Sequence, residues 1–355
     1  MSELRPTTML EQVVSHLREG ILTGRWQGHM PGRDRLSRDL GVSPMTVVRA
    51  LKILDEREGL VVSQGSGRQR LIRAGGQVKA RSLRLGILAG EPGDLELGYV
   101  VELRHALEDA GHSVISASKF LLDPKMTSRR LGHMMDQAPA DAWMAIAAPR
   151  ETLEWLSTQG RQVLAIFGRR RGLPIASVGP DKSHAMIEAT RQLLRLGHRN
   201  IVLLSRGMRR KPGPGLPEKL FLAELQSHGI RPSPYHLPDW QETADGLHGL
   251  LDNLFQFTPP SALLIDEAPL FVGVQQFLAN RRILVPDQVS LVCNDASQDF
   301  AWCKPSVAHI HWESRPIVRR AVKWACNIAR GKEDKTQTLT PAKFVTGGTI
   351  GPCPQ

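Results

Sequence analysis

The sequence predicts an α/β protein of two parts. A small helical N-terminal domain ends in a hairpin, and a larger body carries two doubly wound parallel sheets. Three observations predict this. A compact run at residues 41–54 has the form of a capped amphipathic helix behind a tight turn. Beyond residue 83, short apolar runs alternate with helical periodicity, the βαβ rhythm of parallel sheets. That rhythm then restarts near residue 175, which implies two lobes with a cleft between them. A chain of 355 residues has room for both parts and a sizeable core.

The first domain reads as follows. Met9–Leu22 is helical, with Val13, Leu17 and Ile21 on one face. Pro31-Gly32 breaks the chain before a short helix, Asp34–Leu40. Ser43 is a natural N-cap, because its hydroxyl accepts from a free amide of the first turn. Pro44 falls at the first helical position, where its missing N–H costs nothing. Val47, Ala50, Leu51 and Leu54 recur as one buried stripe, leaving Met45, Thr46, Arg49 and Lys52 outward. Leu60–Val62 and Arg68–Ile72 read as strands around a Gly65-Ser66-Gly67 turn, where glycine supplies the backbone freedom of a hairpin. Helices followed by a hairpin make a winged helix-turn-helix. A helix with a buried back and a basic, hydrogen-bonding front fits the DNA major groove. The candidate DNA-contacting residues are Arg33, Arg35, Ser43, Pro44, Met45, Thr46, Arg49, Gly65, Ser66, Gly67 and Arg68. A formal net charge of +11 suits a polyanionic partner without proving one.

Residues 8–72 resemble the DNA-binding head of the GntR family of bacterial regulators. The resemblance rests on Gly28, Pro31-Gly32, Leu36, Leu40, Gly41-Val42-Ser43, Thr46-Val47, Ala50-Leu51, Leu54, Gly59-Leu60-Val61 and Gly65-Ser66-Gly67. The run from Ser43 to Leu51 is more similar to the recognition helix of the LacI/GalR family. That resemblance implies that Pro44, Met45 and Arg49 face bases, with Arg49 the principal reader. Asp34, Pro44 and Val48 stand where GntR heads often carry arginine.

The domain boundaries expected are 1–73 for the head, 74–82 for a glycine-bearing basic linker, and 83–355 for the body. In the body, strands are expected at Leu83–Leu88, Ser113–Ser116, Ala142–Ala147, Val163–Phe167, Ile175–Val178, Asn200–Leu204, Ala262–Ile265 and Val289–Cys293. Helices are expected at 99–110, 126–137, 151–158, 181–196, 218–228, 270–279 and 316–330. Ligands in such sheets sit at the carboxyl ends of the strands.

This half resembles the LacI/GalR effector domain, which is periplasmic-binding-protein-like. The marks are Val178-Gly179-Pro180-Asp181, Leu193 to Ile201 with its Gly197-His198-Arg199, and Phe221 to Leu225 before Gly229-Ile230. Val285 to Val292 with Asp295, and Pro305-Ser306-Val307, complete the set. A GntR-type head on such a body is the layout of arabinose-repressor-type regulators. The resemblance implies that Asp295 hydrogen-bonds sugar hydroxyls; capping of the following loop is the alternative. Pro217 replaces the arginine usual in that family. Arg169-Arg170-Arg171 and Arg206, Arg209, Arg210 and Lys211 follow two strands. They either line a positive cleft, with Arg170 and Arg206 meeting an anionic effector, or form solvated surface.

The chemistry expected is therefore binding rather than catalysis. No nucleophile-and-base arrangement stands out, and no cofactor or metal is implied. His309 and His311 share a face of an extended segment near Trp302 and Trp312, a pattern of packing or stacking without a third metal ligand. Cys293, Cys303, Cys326 and Cys353 lack any framework spacing and read as reduced thiols. No apolar signal region or membrane-length run appears, so a cytoplasmic location is expected. The partners expected are double-stranded DNA with an inverted-repeat operator, a small polar effector such as a sugar or anionic sugar derivative, and a second copy of the chain. A solute-binding receptor, or a constitutive DNA-binding protein whose body only dimerises, are the competing readings.

Overall fold

The computed structural model describes residues 8–22, 25–26, 28–56, 60–63, 70–72, 81–210 and 212–354. The chain divides into two compact units, Met1–Arg81 and Ser82–Gln355.

The first unit holds α1 (Met9–Leu22), α2 (Arg33–Leu40), α3 (Pro44–Glu56), β1 (Val61–Ser63) and β2 (Arg70–Ile72). Val13, Val14 and Leu17 of α1 pack with Leu36 of α2 and with Val47, Ala50, Leu51 and Leu54 of α3. The turn between α2 and α3 depends on Gly41, whose φ of 64° closes α2 in the left-handed region. Ser43 Oγ then accepts the Thr46 amide at 3.1 Å, which is the N-cap read from the sequence. β1 and β2 are antiparallel, with Val61 opposite Ile72. β2 is also bonded on its other side: Met30 N–H donates to Arg70 O and Ile72 N–H to Gly28 O, each at 2.9 Å. The expected hairpin tip, Gly65-Ser66-Gly67 and Arg68, lies outside the described residues, as do linker residues 74–80.

The second unit begins with β3 (Arg84–Leu88), α4 (Gly98–Asp109), β4 (Ser113–Ser116), α5 (Ser128–Gln137), β5 (Ala142–Ile146), α6 (Arg150–Thr158), β6 (Val163–Ile166) and β7 (Ala176–Asp181). These strands are parallel in the order β4-β3-β5-β6-β7. There follow α7 (Ser183–Arg195), β8 (Ile201–Leu204), α8 (Gly207–Arg210), α9 (Leu216–Ser227), α10 (Ala244–Phe257), β9 (Ala262–Ile265) and α11 (Ala268–Asn280). The chain ends with β10 (Ser290–Cys293), β11 (Ala308–Trp312), α12 (Ser314–Ala329) and β12 (Gln337–Val345). The second lobe runs β11-β10-β9-β8, again parallel.

β12 joins the two sheets. Gln337–Pro341 pairs parallel with β7, and Ala342–Val345 pairs antiparallel with β11. Ten strands thus form one continuous run. The helices also exchange. α7 follows a strand of the first lobe but packs on the second, where Ala185, Met186 and Leu193 meet Leu203, Leu264 and Val292. α12 follows the second lobe but packs on the first, where Ile317, Ala321 and Trp324 meet Leu85, Met144 and Leu164. Three chain crossings therefore connect the lobes, at residues 181–183, 312–314 and 341–342.

Both faces of each sheet are covered. Trp143, Ala145 and Ala165 pack on α5 and α6, and Leu204, Ile265 and Cys293 on α10 and α11. Strands buried on both faces read as continuous apolar runs rather than alternating ones, which is why the interior strands are legible in the sequence. His198 of the Gly197-His198-Arg199 mark is fully buried. Its Nδ1 lies 3.0 Å from Ser261 Oγ and its Nε2 3.0 Å from Gly351 O, pinning the C-terminal segment to the second lobe.

Candidate DNA-facing helix and effector cleft

In the first unit, α3 buries its stripe completely and turns the other side outward. Met45 is 61% exposed, and Arg49 and Lys52 are exposed beside it. Lys52 pairs with Glu56 at 3.6 Å, one turn on. Arg33 and Arg35 are exposed on α2, where each has a carboxylate neighbour: Asp34 at 2.8 Å and Asp39 at 3.8 Å. Exposed pairs of this kind are weak and leave a guanidinium free to exchange partners.

In the second unit, the carboxyl ends of the two half-sheets face each other. Arg206, just after β8, bonds Glu91, just after β3, through Nη1. The same guanidinium bonds Glu267, just after β9, through Nε at 2.5 Å. Arg206 is therefore held between carboxylates of both lobes. Arg169 also crosses, its Nη1 donating to Gly213 O at 2.7 Å.

Asp295 follows β10, as the sequence placed it. Its Oδ1 accepts from Lys182 Nζ at 2.8 Å and from the Trp312 indole at 2.6 Å. Lys182 donates to Asn294 O as well, at 2.8 Å. Asp295 thus joins two of the three crossings. Trp312 stands against Tyr99 and Phe167, with ring centroids 5.7 and 5.0 Å away. Tyr99 and Phe167 are 5.1 Å apart, closing an aromatic cluster at the strand ends. Phe167 and Ala147, which follow β6 and β5, hold φ of 60° and 47°. Left-handed backbone is costly without glycine and gathers where surrounding structure enforces it.

The three consecutive arginines do different things. Arg169 reaches across to Gly213. Arg170 lies flat on β7, where a side chain at Gly179 would fall 2.7 Å from its Nη2. Burial pulls the Arg170 pKa down to about 10, with the Asp181 charge opposing. Arg171 is exposed, and its carbonyl accepts from Arg150 Nη1 at 2.7 Å. Of the second basic group, Arg210 donates to Pro238 O and Asp239, at 2.9 and 2.7 Å. Lys211 lies outside the described residues, and so does the side chain of Arg209.

A row of polar groups crosses the second lobe beside Arg206. Ser205 Oγ lies 3.3 Å from Glu218 Oε1 and 3.2 Å from Asp266 Oδ2. Burial, and then the Asp266 charge, push the Glu218 carboxyl above its ordinary pKa. Trp240 donates its indole N–H to Ser205 O at 3.0 Å. Sequence reasoning missed Lys182, Glu91, Glu218, Tyr99 and Phe167. Apart from Ser205, 13 positions before Glu218, their partners lie far away in the chain, so the fold brings them together.

His309 and His311 meet ring against ring, edge to face. His309 Nδ1 lies 2.9 Å from Val307 O, and its ring is 5.9 Å from that of His311. Among the described residues no group of three or more metal-type side chains converges. Trp302 is 90% exposed, away from that cluster of rings. The four cysteines are unpaired, and burial raises the Cys293 thiol pKa. No helix among the described residues is long and apolar enough to cross a membrane. A surface cavity of about 630 Å³, lined by Arg199, His228 and Tyr235, opens beside Asn200, at the amino end of β8 and away from the cleft.

Residues 190–350 match the family model of the periplasmic binding protein-like domain. No curated protein matches the sequence. Solved structures do. A LacI transcriptional regulator from a Rhodococcus species is 21% identical, with 77% of this chain and 100% of that one covered at a TM-score of 0.62. A LacI family regulator from Enterococcus faecium with bound ribose is 17% identical, covering 76% and 99% at 0.61. The lac repressor dimer bound to operator and an anti-inducer is 16% identical, covering 78% and 96% at 0.61. The body of this chain has the periplasmic-binding-protein-like fold, shared with structures of LacI-family regulators.

Proposed function

We propose that this protein is a ligand-responsive, sequence-specific DNA-binding regulator of transcription, acting in the cytoplasm as a repressor of genes for carbohydrate use. The observation that carries the reading is α3. It is a capped helix whose back is wholly buried and whose front offers Met45, Thr46, Arg49 and Lys52, in a chain whose body has the fold of an effector domain. The order of three helices and an antiparallel pair supports a winged helix-turn-helix of GntR type over residues 1–73. Residues 74–82 serve as linker and 83–355 as effector and dimerisation body. One small head covers too few base pairs for useful specificity, so the working unit is a homodimer on an inverted repeat. A small polar effector in the cleft, read by Asp295, shifts the population of DNA-competent dimers. The ribose bound in the Enterococcus faecium structure supports a polar effector.

Selection of bound duplexes from a random library by the full chain tests this. Enrichment of one inverted repeat is the expected result. A library left unenriched overturns the reading.

A further inference from the structure

We propose that the cleft recognises its ligand through a cationic nitrogen, an ammonium or guanidinium seated among Glu91, Glu267 and Glu218, and that Arg206 holds this seat while no ligand is there. The inference rests on the reading of the body as an effector domain and names the class of effector.

The chain itself shows what the carboxylates accept. The Arg206 side chain is only 18% exposed and bridges Glu91 of one lobe to Glu267 of the other. The Glu267 side chain is 9% exposed. A carboxylate so far out of water persists as an anion only beside a cation. An anionic effector has little to gain here. Both Arg206 contacts are already with carboxylates, and the preceding Ser205 carries two more, Glu218 and Asp266. A new negative charge beside these carboxylates would be repelled by them.

A second observation is independent of Arg206. Glu218 is 8% exposed, and its Oε2 has no hydrogen-bond partner. Its other oxygen shares Ser205 with Asp266. The strand register aligns Leu204, Ile265 and Cys293, so Ser205, Asp266 and Asn294 stand side by side one residue beyond the strands. Asn294 is 2% exposed, and its amide Oδ1 and Nδ2 are both unpartnered. The open carboxylate oxygen of Glu218 suits an N–H donor, and the open amide of Asn294, which both accepts and donates, suits a ligand that carries hydroxyls as well. An amine-bearing sugar or a guanidinium-bearing amine has that chemistry.

Arg206 is then a tethered competitor. Removing it frees the seat and tightens a cationic ligand, whereas an anionic ligand would lose its partner. The sign of one substitution separates the two classes.

Titration calorimetry of the full chain with agmatine, glucosamine, glucose and glucose 6-phosphate makes the test, with folding of each variant checked by thermal melts. The expected result is binding of agmatine and glucosamine in preference to glucose. Arg206→Ala tightens the amines by about tenfold or more, and Glu267→Gln weakens them by about tenfold. Glu91→Gln, on an exposed side chain, serves where Glu267→Gln fails to fold. Preferred binding of glucose 6-phosphate, loss of all binding in Arg206→Ala, or no binding of either amine to Arg206→Ala at millimolar concentration overturns the proposal. Operator binding in the same samples is read separately. Amines that bind without altering DNA affinity leave the seat established and remove the regulatory reading. A DNA response to glucose alone removes the cationic seat and leaves regulation standing.

Discussion

Lys182 Nζ stands 2.8 Å from Asp295 Oδ1, tying the β7–α7 crossing to the end of β10, 113 positions later. The Trp312 indole reaches the same oxygen from a second crossing. A relative movement of the lobes must rearrange this junction, and under the proposed function Asp295 would report ligand occupancy to the crossings. Asp295→Ala is expected to abolish the effector response while leaving operator affinity within about twofold, since the DNA-facing helix belongs to the other unit. Anisotropy of a labelled operator, with and without ligand, checks both halves. A normal ligand response in the variant rejects the role.

Arg49 projects from α3 on the side opposite Val47, Ala50 and Leu54. Under the proposed function this guanidinium would lie in a major groove, where its best partner is O6 and N7 of a guanine. Arg49→Ala is expected to cost about 1–3 kcal/mol and to relax preference at one base pair of each half-site. Competition among single-base operator variants measures this. A uniform loss across all variants would assign Arg49 to phosphate instead.

The compact unit from Ser82 onward is expected to dimerise without the head. Leu97, just before α4, Val101 of α4 and Val272 of α11 are exposed large apolar side chains, the kind of surface that dimers cover. Sedimentation of the 82–355 fragment at micromolar concentration reads the outcome. A monomer sinks the homodimer reading.

His198 is buried between Ser261 and the Gly351 carbonyl, and burial holds its pKa below the ordinary 6.5. The folded state therefore resists taking a proton that the unfolded state accepts. Stability from this site is full above pH 6.5 and declines as pH falls below it. Thermal melts from pH 7 downward are expected to show the decline. His198→Gln is expected to flatten it; an unchanged slope would show that other groups set it.

Most of the strands that the sequence revealed in the body are buried on both faces, such as Ala142–Ile146 and Ile201–Leu204, although the edge strand Ser113–Ser116 was legible too. β12 escaped notice for a physical reason. Gln337, Leu339 and Pro341 face outward or lack an amide, and the strand exists through pairing with β7 and β11, far off in the chain. α10 was legible and overlooked: Thr243 caps it through the Gly246 amide, and Leu247, Leu251 and Leu254 form its stripe. In the cleft, Asp295 was legible from its place after an apolar run. Lys182 and Glu91 were not, because surface-type charges gain meaning only from partners more than a hundred positions away.

Arg320 of α12 and Asp334 form a paired fork that anchors the start of β12. Arg320 Nη2 and Nη1 meet Asp334 Oδ1 and Oδ2 at 2.7 and 3.0 Å, and Arg320 also holds Thr338 and the Thr336 carbonyl. Burial raises the Asp334 pKa, but hydrogen bonds from Arg320, Asn327 and the Thr336 amide outweigh it and bring the value to about 2. A carboxyl depressed on folding stabilises at pH above its ordinary 3.8, and that stability is lost as pH falls from 3.8 toward 2. The decline at His198 begins at pH 6.5 and this one at 3.8, so the two onsets separate in one pH series. Asp334→Ala leaves the nearly buried guanidinium unpaired and is expected to cost about 3 kcal/mol at neutral pH. Because Thr338 lies on the half of β12 paired with β7, hydrogen exchange should accelerate at 337–341 before 342–345. Equal exchange along the whole strand in the variant would show that β12 opens as one unit and that the fork does not govern its first half.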